Sequence, residues 1–284
     1  MTTLTRWVRE YLLAVQFFTR IPVTGRLAEW VGYSPEMLRA SAGHFPGVGV
    51  LVGVAAAAVY ALLQAMLPDT PFAPLVAAAL STVATVLLTG GFHEDGLADV
   101  ADGLGGSQDR DRALEIMKDS RVGAFGAMAL VLALLGKVAL LGLLGSVEGV
   151  PSGWGDWTEA PFPCWYVCAA LFTGHVVSRG LPLLLIYLLP HVGDAALSKS
   201  KPLADRISTG SLCAGLAWGL AGLALASVVL DVTSLMLGCS LAVLALLWMG
   251  RLFRRRLQGF TGDCLGATQQ VCEIAFYLGL AVSL

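Results

Sequence analysis

Seven apolar runs, most about as long as a bilayer is thick, constrain this chain more than any other feature. They fall at 43–67, 72–90, 123–146, 162–189, 211–230, 233–250 and 271–284, the last being the weakest. A helix needs roughly 20 apolar residues to cross the hydrocarbon core. None of the runs alternates apolar with polar residues, and Ala and Leu dominate, so helices are predicted rather than strands. Composition agrees: 56% of the 284 residues are hydrophobic and 13% charged, against about a quarter charged in ordinary soluble domains. Abundant glycine suits close helix packing in lipid, where small residues let backbones approach. The expected fold is all-α: a polytopic membrane protein of about seven transmembrane helices, one domain over residues 1–284 with no convincing internal repeat.

Residues 1–42 precede the first run and are expected to be cytosolic or interfacial. Within them WVREYLLAVQFFTRIPV reads as an amphipathic helix at the membrane surface. Trp7, Leu12, Phe17 and Phe18 would face the apolar side and Arg6, Arg9 and Arg20 the headgroups. No signal-peptide cleavage pattern is visible. Lys and Arg then alternate from one connection to the next. They occur in 1–42 (Arg6, Arg9, Arg20, Arg26, Arg39), 91–122 (Arg110, Arg112, Lys118, Arg121), 190–210 (Lys199, Lys201, Arg206) and 251–270 (Arg251, Arg254, Arg255, Arg256). They are missing near 68–71, from 147–161, which holds Glu148, Asp156 and Glu159, and near Asp231. The positive-inside rule places the N-terminus and the Lys/Arg-bearing connections in the cytosol. The six cysteines form no CxxC or zinc spacing, and they read as small buried hydrophobes with no disulfide framework.

The polar chemistry concentrates in GGFHEDGLADVADGLGG, residues 90–106, directly after the second run. Asp95, Asp99 and Asp102 are spaced i, i+4, i+7 and project from one helical face. Like charges at that spacing repel, so the face needs a positive partner. A solvated acidic loop would use the same residue types. Against that reading stand the interleaved glycines, which permit close backbone approach, and the stretch EIMKDSRVGAFG just downstream, which adds Lys118, Asp119, Ser120 and Arg121. Mg²⁺ takes one or two carboxylates, keeps several waters and shares its remaining positions with phosphate oxygens. Carboxylates for a metal beside cations and a hydroxyl for phosphate are what phosphoryl transfer requires. His93 stands just ahead of the acids, either as a base or ligand or as a surface residue.

A second polar patch, GFTGDCLGATQQ at 259–270, carries Asp263 next to Thr261 and is expected to be a second cytosolic site loop within 251–270. A carboxylate entering a span is costly unless paired, which favours a functional role for Asp263. The arginines of RLFRRR read as orientation anchors. Two charges lie inside runs. Lys137 falls about 21 Å from the inner end of its helix at 1.5 Å per residue, so it is expected to snorkel outward or pair structurally. Arg179 lies one turn after His175 and three residues before a kinking Pro182; it fits either a phosphate in a cavity or a structural ion pair. His44 opens the first run, as a helix-start polar residue or a second-rank site group.

FHEDGLADVADGLGG, EIMKDSRVGAFG and GFTGDCLGA, with FFTRIPV and FPGVGVLVG upstream, resemble the signature blocks of the adenosylcobinamide-GDP ribazoletransferase (cobalamin 5′-phosphate synthase) family. The blocks cover about a third of the chain, and their order runs through nearly all of it. The resemblance implies an Mg²⁺-dependent prokaryotic enzyme of the cytoplasmic (inner) membrane. Such an enzyme joins adenosylcobinamide-GDP to α-ribazole or its 5′-phosphate and releases GMP. On that reading Asp95, Asp99 and Asp102 hold the metal, with Asp119 and Asp263 as further ligands. Asp99 also accepts the hydroxyl proton, and Lys118 and Arg121 offset charge on the leaving GMP. Ser120, Arg179, Thr261 and Asp263 contact substrate. The implied partners are the two small-molecule substrates and the surrounding lipid; a homo-oligomer, or association with other enzymes of the cobalamin pathway, stays open.

Two rivals remain. The DxxxDxxD spacing is also similar to CDP-alcohol phosphotransferases of lipid synthesis, although their longer motif is incomplete here. A transporter or metal channel would place acids deep within spans, near the midplane. No basic patch with interleaved aromatics suggests nucleic acid.

Overall fold

Where the sequence stays apolar for about 20 residues, the chain is helical. The structure, a computed structural model, describes residues 3–146, 164–192 and 206–284. The acidic connection at 147–161, with Glu148, Asp156 and Glu159, lies outside the described residues, as do Lys199 and Lys201.

Of three N-terminal helices, α1 (Thr3–Phe18) packs on α4 (Phe45–Met66), and α2 (Gly25–Val31) and α3 (Pro35–Ser41) pack on α1. Then come α5 (Ala73–Thr89), α6 (Phe92–Gly106), the short α7 (Arg110–Ile116) and α8 (Ala124–Ser146). α9 (Trp165–Gly180) continues into α10 (Pro182–Leu188), followed by α11 (Thr209–Ala226), α12 (Val232–Arg256) and α13 (Gly262–Val282). Six stretches are long and apolar enough to cross a membrane, and α5 with α6 makes a seventh if the bent pair is one span. The protein is thus a multi-pass helical membrane protein. α5 alone is about 25 Å long at 1.5 Å per residue, close to the hydrocarbon thickness. We therefore read α5 as the crossing segment and the acid-bearing α6 as lying across its end.

The 90° bend between these two helices has a backbone cause. Gly90 and Gly91 both take positive φ, 71° and 70°, a conformation open to glycine and costly for residues with a Cβ. The bend lays α6 against the first half of α13. There the helices touch backbone to backbone: a Cβ at Gly96 would lie 2.7 Å from the Asp263 carbonyl oxygen, and one at Gly266 would lie 3.2 Å from the His93 Cα. α13 is the hub of the bundle, packing on α12, α6, α9 and α8. Phe253, Phe260 and Phe276 are fully enclosed around it.

One sequence expectation needs revision. The last span begins at Gly262 rather than near 271, so the expected site loop at 251–270 is mostly helix. Only residues 257–261 connect α12 to α13. The polar Thr268, Gln269 and Gln270 misled the reading because their groups are bonded inside the bundle, not exposed to water. The N-terminal α1 also packs on protein. Its buried residues are Glu10, Leu13, Ala14, Val15 and Phe18, whereas Trp7 stays partly exposed and stacks on Trp218 with centroids 5.2 Å apart. His44 stands at the N-cap of α4, as one of its two readings had it, and belongs to this N-terminal contact. Its Nδ1 accepts from Trp218 Nε1 (3.2 Å) and its Nε2 lies 3.8 Å from Glu10. The six cysteines are free; Cys164 and Cys168 do share a helix face, with sulfurs 3.8 Å apart.

Candidate active site

The spacing of Asp95, Asp99 and Asp102 survives in three dimensions as one helix, α6, but the three side chains have different surroundings. Asp95 is exposed and Asp99 half-buried. Asp102 is buried, its carboxylate accepting the backbone N–H groups of Gly123 (2.7 Å) and Gly126 (2.8 Å) at the start of α8. A carboxylate there caps orphan N–H groups and meets the positive end of the helix dipole. Asp102 therefore locks α8 onto α6 while it contributes its charge to the acidic face.

The fourth carboxylate comes from the other end of the sequence. Asp263 sits in the first turn of α13, where Thr261 caps the helix by accepting from Cys264 N and donates to Asp263 Oδ2 (3.2 Å). The Gly96 crossing brings this turn against α6. Asp99 stands at the focus of the cluster. Burial first, then the charges of Asp263, Asp95 and Asp102, push its carboxyl up to about 7. Among the described residues no Arg or His forms an ion pair with Asp95, Asp99 or Asp263.

This donor set suits a hard divalent cation. Among the described residues no three Asp, Glu, His or Cys side chains converge into a ready-made coordination shell. Mg²⁺ does not require one, because it binds through one or two carboxylates and completes its octahedron with water and phosphate oxygens. A raised carboxyl with burial and like charges as its causes is one that a bound cation would stabilise in its ionised form.

The remaining candidates separate into three groups. Lys118, Ser120 and Arg121 are exposed in the α7–α8 connection beside Asp119. Arg121 grips Asp119 through Nε (2.9 Å) and Nη2 (2.5 Å), which pulls the Asp119 carboxyl down to about 2. An exposed pair of this kind is weak and exchangeable. His93 is brought under the acidic turn rather than onto the surface: it is 1% exposed, its ring stacks on Phe45 (5.6 Å), and neither ring nitrogen has a partner among the described residues. Burial holds its pKa well below the usual histidine value. Phe17 and Phe18 of the FFTRIPV block pack on Phe92, with centroids 5.9 and 6.0 Å away, and so cover the first turn of α6.

Arg179 lies in the interior, away from solvent, with Nη1 donating to His175 Nδ1 (2.8 Å) and Phe45 under its guanidinium (5.9 Å). Lys137 takes the structural alternative: its Nζ is 2.6 Å from Glu273, and both side chains are buried. Glu273 was missed by sequence reasoning, as were the roles of Glu94, Gln269 and Gln270. The signal was present, since Glu273 is a lone acid in an apolar run facing a lone lysine in another. Glu273 is an acid deep in a span, as a transporter would need. Its pairing with Lys137 and complete enclosure leave no open carboxylate there. Of the RLFRRR arginines, Arg256 donates to the Leu104 (3.2 Å) and Ser107 (2.5 Å) carbonyls and so fastens the C-terminal end of α6.

Comparison with known proteins adds the chemistry. Residues 10–281 match the family model described as Cobalamin-5-phosphate synthase. The chain is 76% identical over its full length to a Polaromonas protein named adenosylcobinamide-GDP ribazoletransferase, covering all of that protein. A second, from Polaromonas naphthalenivorans, is 75% identical over 98% of this chain and 99% of its own. A Shewanella amazonensis protein of the same name is 42% identical over 99% of this chain and 97% of its own. No solved structure matches.

Proposed function

The chain belongs to the cobalamin-5-phosphate synthase family, and on that premise we propose that the acidic face of α6 with Asp263 is its Mg²⁺-dependent catalytic centre. The activity is that of a ribazoletransferase. It transfers the adenosylcobinamide-phosphate group of adenosylcobinamide-GDP to the 5′-hydroxyl of α-ribazole or its 5′-phosphate and releases GMP. The observation that carries the site is the meeting of Asp95, Asp99, Asp102 and Asp263 from two helices far apart in sequence, with Asp99 elevated and, among the described residues, no Arg or His ion pair on Asp95, Asp99 or Asp263.

When bound, Mg²⁺ supplies charge neutralisation across the diphosphate. Asp95, Asp99 and Asp263 would hold it, with Asp102 contributing field while it caps α8. Asp99, half-buried at the focus of the cluster, also takes the proton of the attacking hydroxyl. Lys118, Ser120 and Arg121 bind the departing GMP phosphate, with Arg121 exchanging Asp119 for it. The Lys/Arg pattern supports a cytosolic N-terminus and a cytosolic active site in the inner membrane of a prokaryote.

The test is GMP release from detergent-solubilised protein given both substrates and Mg²⁺, with a chelator as control. Release that the chelator stops is expected. No GMP, together with accumulation of a labelled solute in proteoliposomes, would transfer the assignment to transport.

A further inference from the structure

The acidic face leaves a second polar system unused, a continuous chain inside the bundle. Glu273 is completely buried midway along α13. Its Oε1 accepts from Lys137 Nζ (2.6 Å) and Tyr277 Oη (3.0 Å), which fixes the carboxylate from two sides. His175 Nδ1 lies 3.5 Å from its Oε2. Gln269 spends both amide hydrogens, one on Glu273 Oε2 (2.6 Å) and one on Ser178 Oγ (2.9 Å). Gln270 spends both of its own on Gln269 Oε1 and Glu94 Oε1, each at 3.0 Å. Flipping either amide would set an oxygen against a carboxylate, so the orientation of the chain is unique. It ends on Glu94, next to Asp95 in the first turn of α6, just past the two-glycine bend. Packing of Phe17, Phe18 and Phe45 on Phe92 and His93 holds the same turn from its other side, and the Gln270–Glu94 bond is the polar tie from α13.

We propose that Glu273 is a positioning residue for the acidic face, acting through Gln269, Gln270 and Glu94 to set the first turn of α6 and so the placement of Asp95 and Asp99. This rests on α6 being the divalent-metal site. The continuity of the chain carries the effect, rather than the Lys137–Glu273 charge pair itself. Residues that orient metal ligands from behind typically change metal affinity or activity by about 10- to 100-fold when removed.

Gln270→Met cuts the chain and leaves Lys137 and Glu273 paired. Leu280→Ala, also buried on α13 but bonded to no member of the chain, is the comparator for simple loss of packing. Mn²⁺ alone, titrated into each purified full-length protein and followed by electron paramagnetic resonance, probes the metal site without turnover. GMP release then gives kcat and KM separately. In Gln270→Met we expect Mn²⁺ binding weaker by roughly 10-fold or more and kcat lower by about 10- to 100-fold, with KM for both organic substrates little changed. Leu280→Ala lowers the melting midpoint and leaves Mn²⁺ binding as in the parent. If Gln270→Met does not fold, Gln269→Met makes the same cut one link further back and is read the same way. Parental Mn²⁺ binding and kcat in a folded chain-cutting variant, or equal losses in Leu280→Ala, overturns the proposal. A parent protein that binds Mn²⁺ but releases no GMP would sink the reaction assignment instead, and the Mn²⁺ titrations would still decide the positioning claim.

Discussion

The acidic face of α6 and the charged network around Glu273 use the same chemistry to opposite ends. In the network, Glu273 is matched with Lys137, capped by Tyr277 and Gln269, and closed to solvent. On the face, Asp95 and Asp99 have like charges for neighbours, partial exposure and no Arg or His ion pair among the described residues. A carboxylate balanced by its own protein is spent on structure. One left unbalanced beside a reachable surface is held for something that arrives. Asp102 joins the two cases, since it belongs to the acidic face by spacing and to the framework by its two bonds to α8.

That contrast can be broken most decisively at Asp99. Asp99→Asn should lower kcat by about 1,000-fold or more, since charge stabilisation at such a site is worth several kcal/mol. Its melting midpoint should hold or rise, because a repelling charge is removed. A tenfold loss would be too small for the role assigned. Glu273→Gln should act most strongly on stability. It leaves Lys137 buried without its counter-charge, a change that costs about 3–5 kcal/mol and is measured by thermal unfolding in detergent. Lys137→Met with Glu273→Gln together should recover most of that stability, and failure to recover would show that the network is not organised around this pair.

Asp102→Ala sharpens the intermediate case. Loss of the α8 cap should cost about 1–2 kcal/mol, with activity falling beyond what the unfolded fraction explains. The smallest effect is in pH. Without metal, the Asp99 carboxyl near 7 is mostly protonated at pH 6 and mostly ionised at pH 8. Only the ionised form binds a cation, so Mn²⁺ affinity should weaken by up to about tenfold per pH unit below 7 and level off above it. A flat profile from pH 6 to 8 would show that Asp99 does not hold the ion.

Much of this was readable from residues alone. The apolar runs located most of the spans, one helical segment gives way to the next at Pro182, and the i, i+4, i+7 acids lie on one helix. The last span was misjudged because Thr268, Gln269 and Gln270 look solvent-facing in one dimension. Their partners, such as Ser178 and Glu94, are far away in sequence. Glu10 of α1 was overlooked for the same reason: burial of a charge becomes intelligible only once its neighbours are known.

The sequence by itself determined that this chain spans a membrane as helices, because hydrophobic length and backbone satisfaction in lipid are local properties. It also determined that a carboxylate-rich helix follows the second span. Tertiary structure decided which charges are cancelled and which are left for a ligand. That choice turns on close approaches such as Gly96 against Asp263 and Lys137 against Glu273. Electrostatic energy depends on distance in space, and no spacing along the chain encodes it.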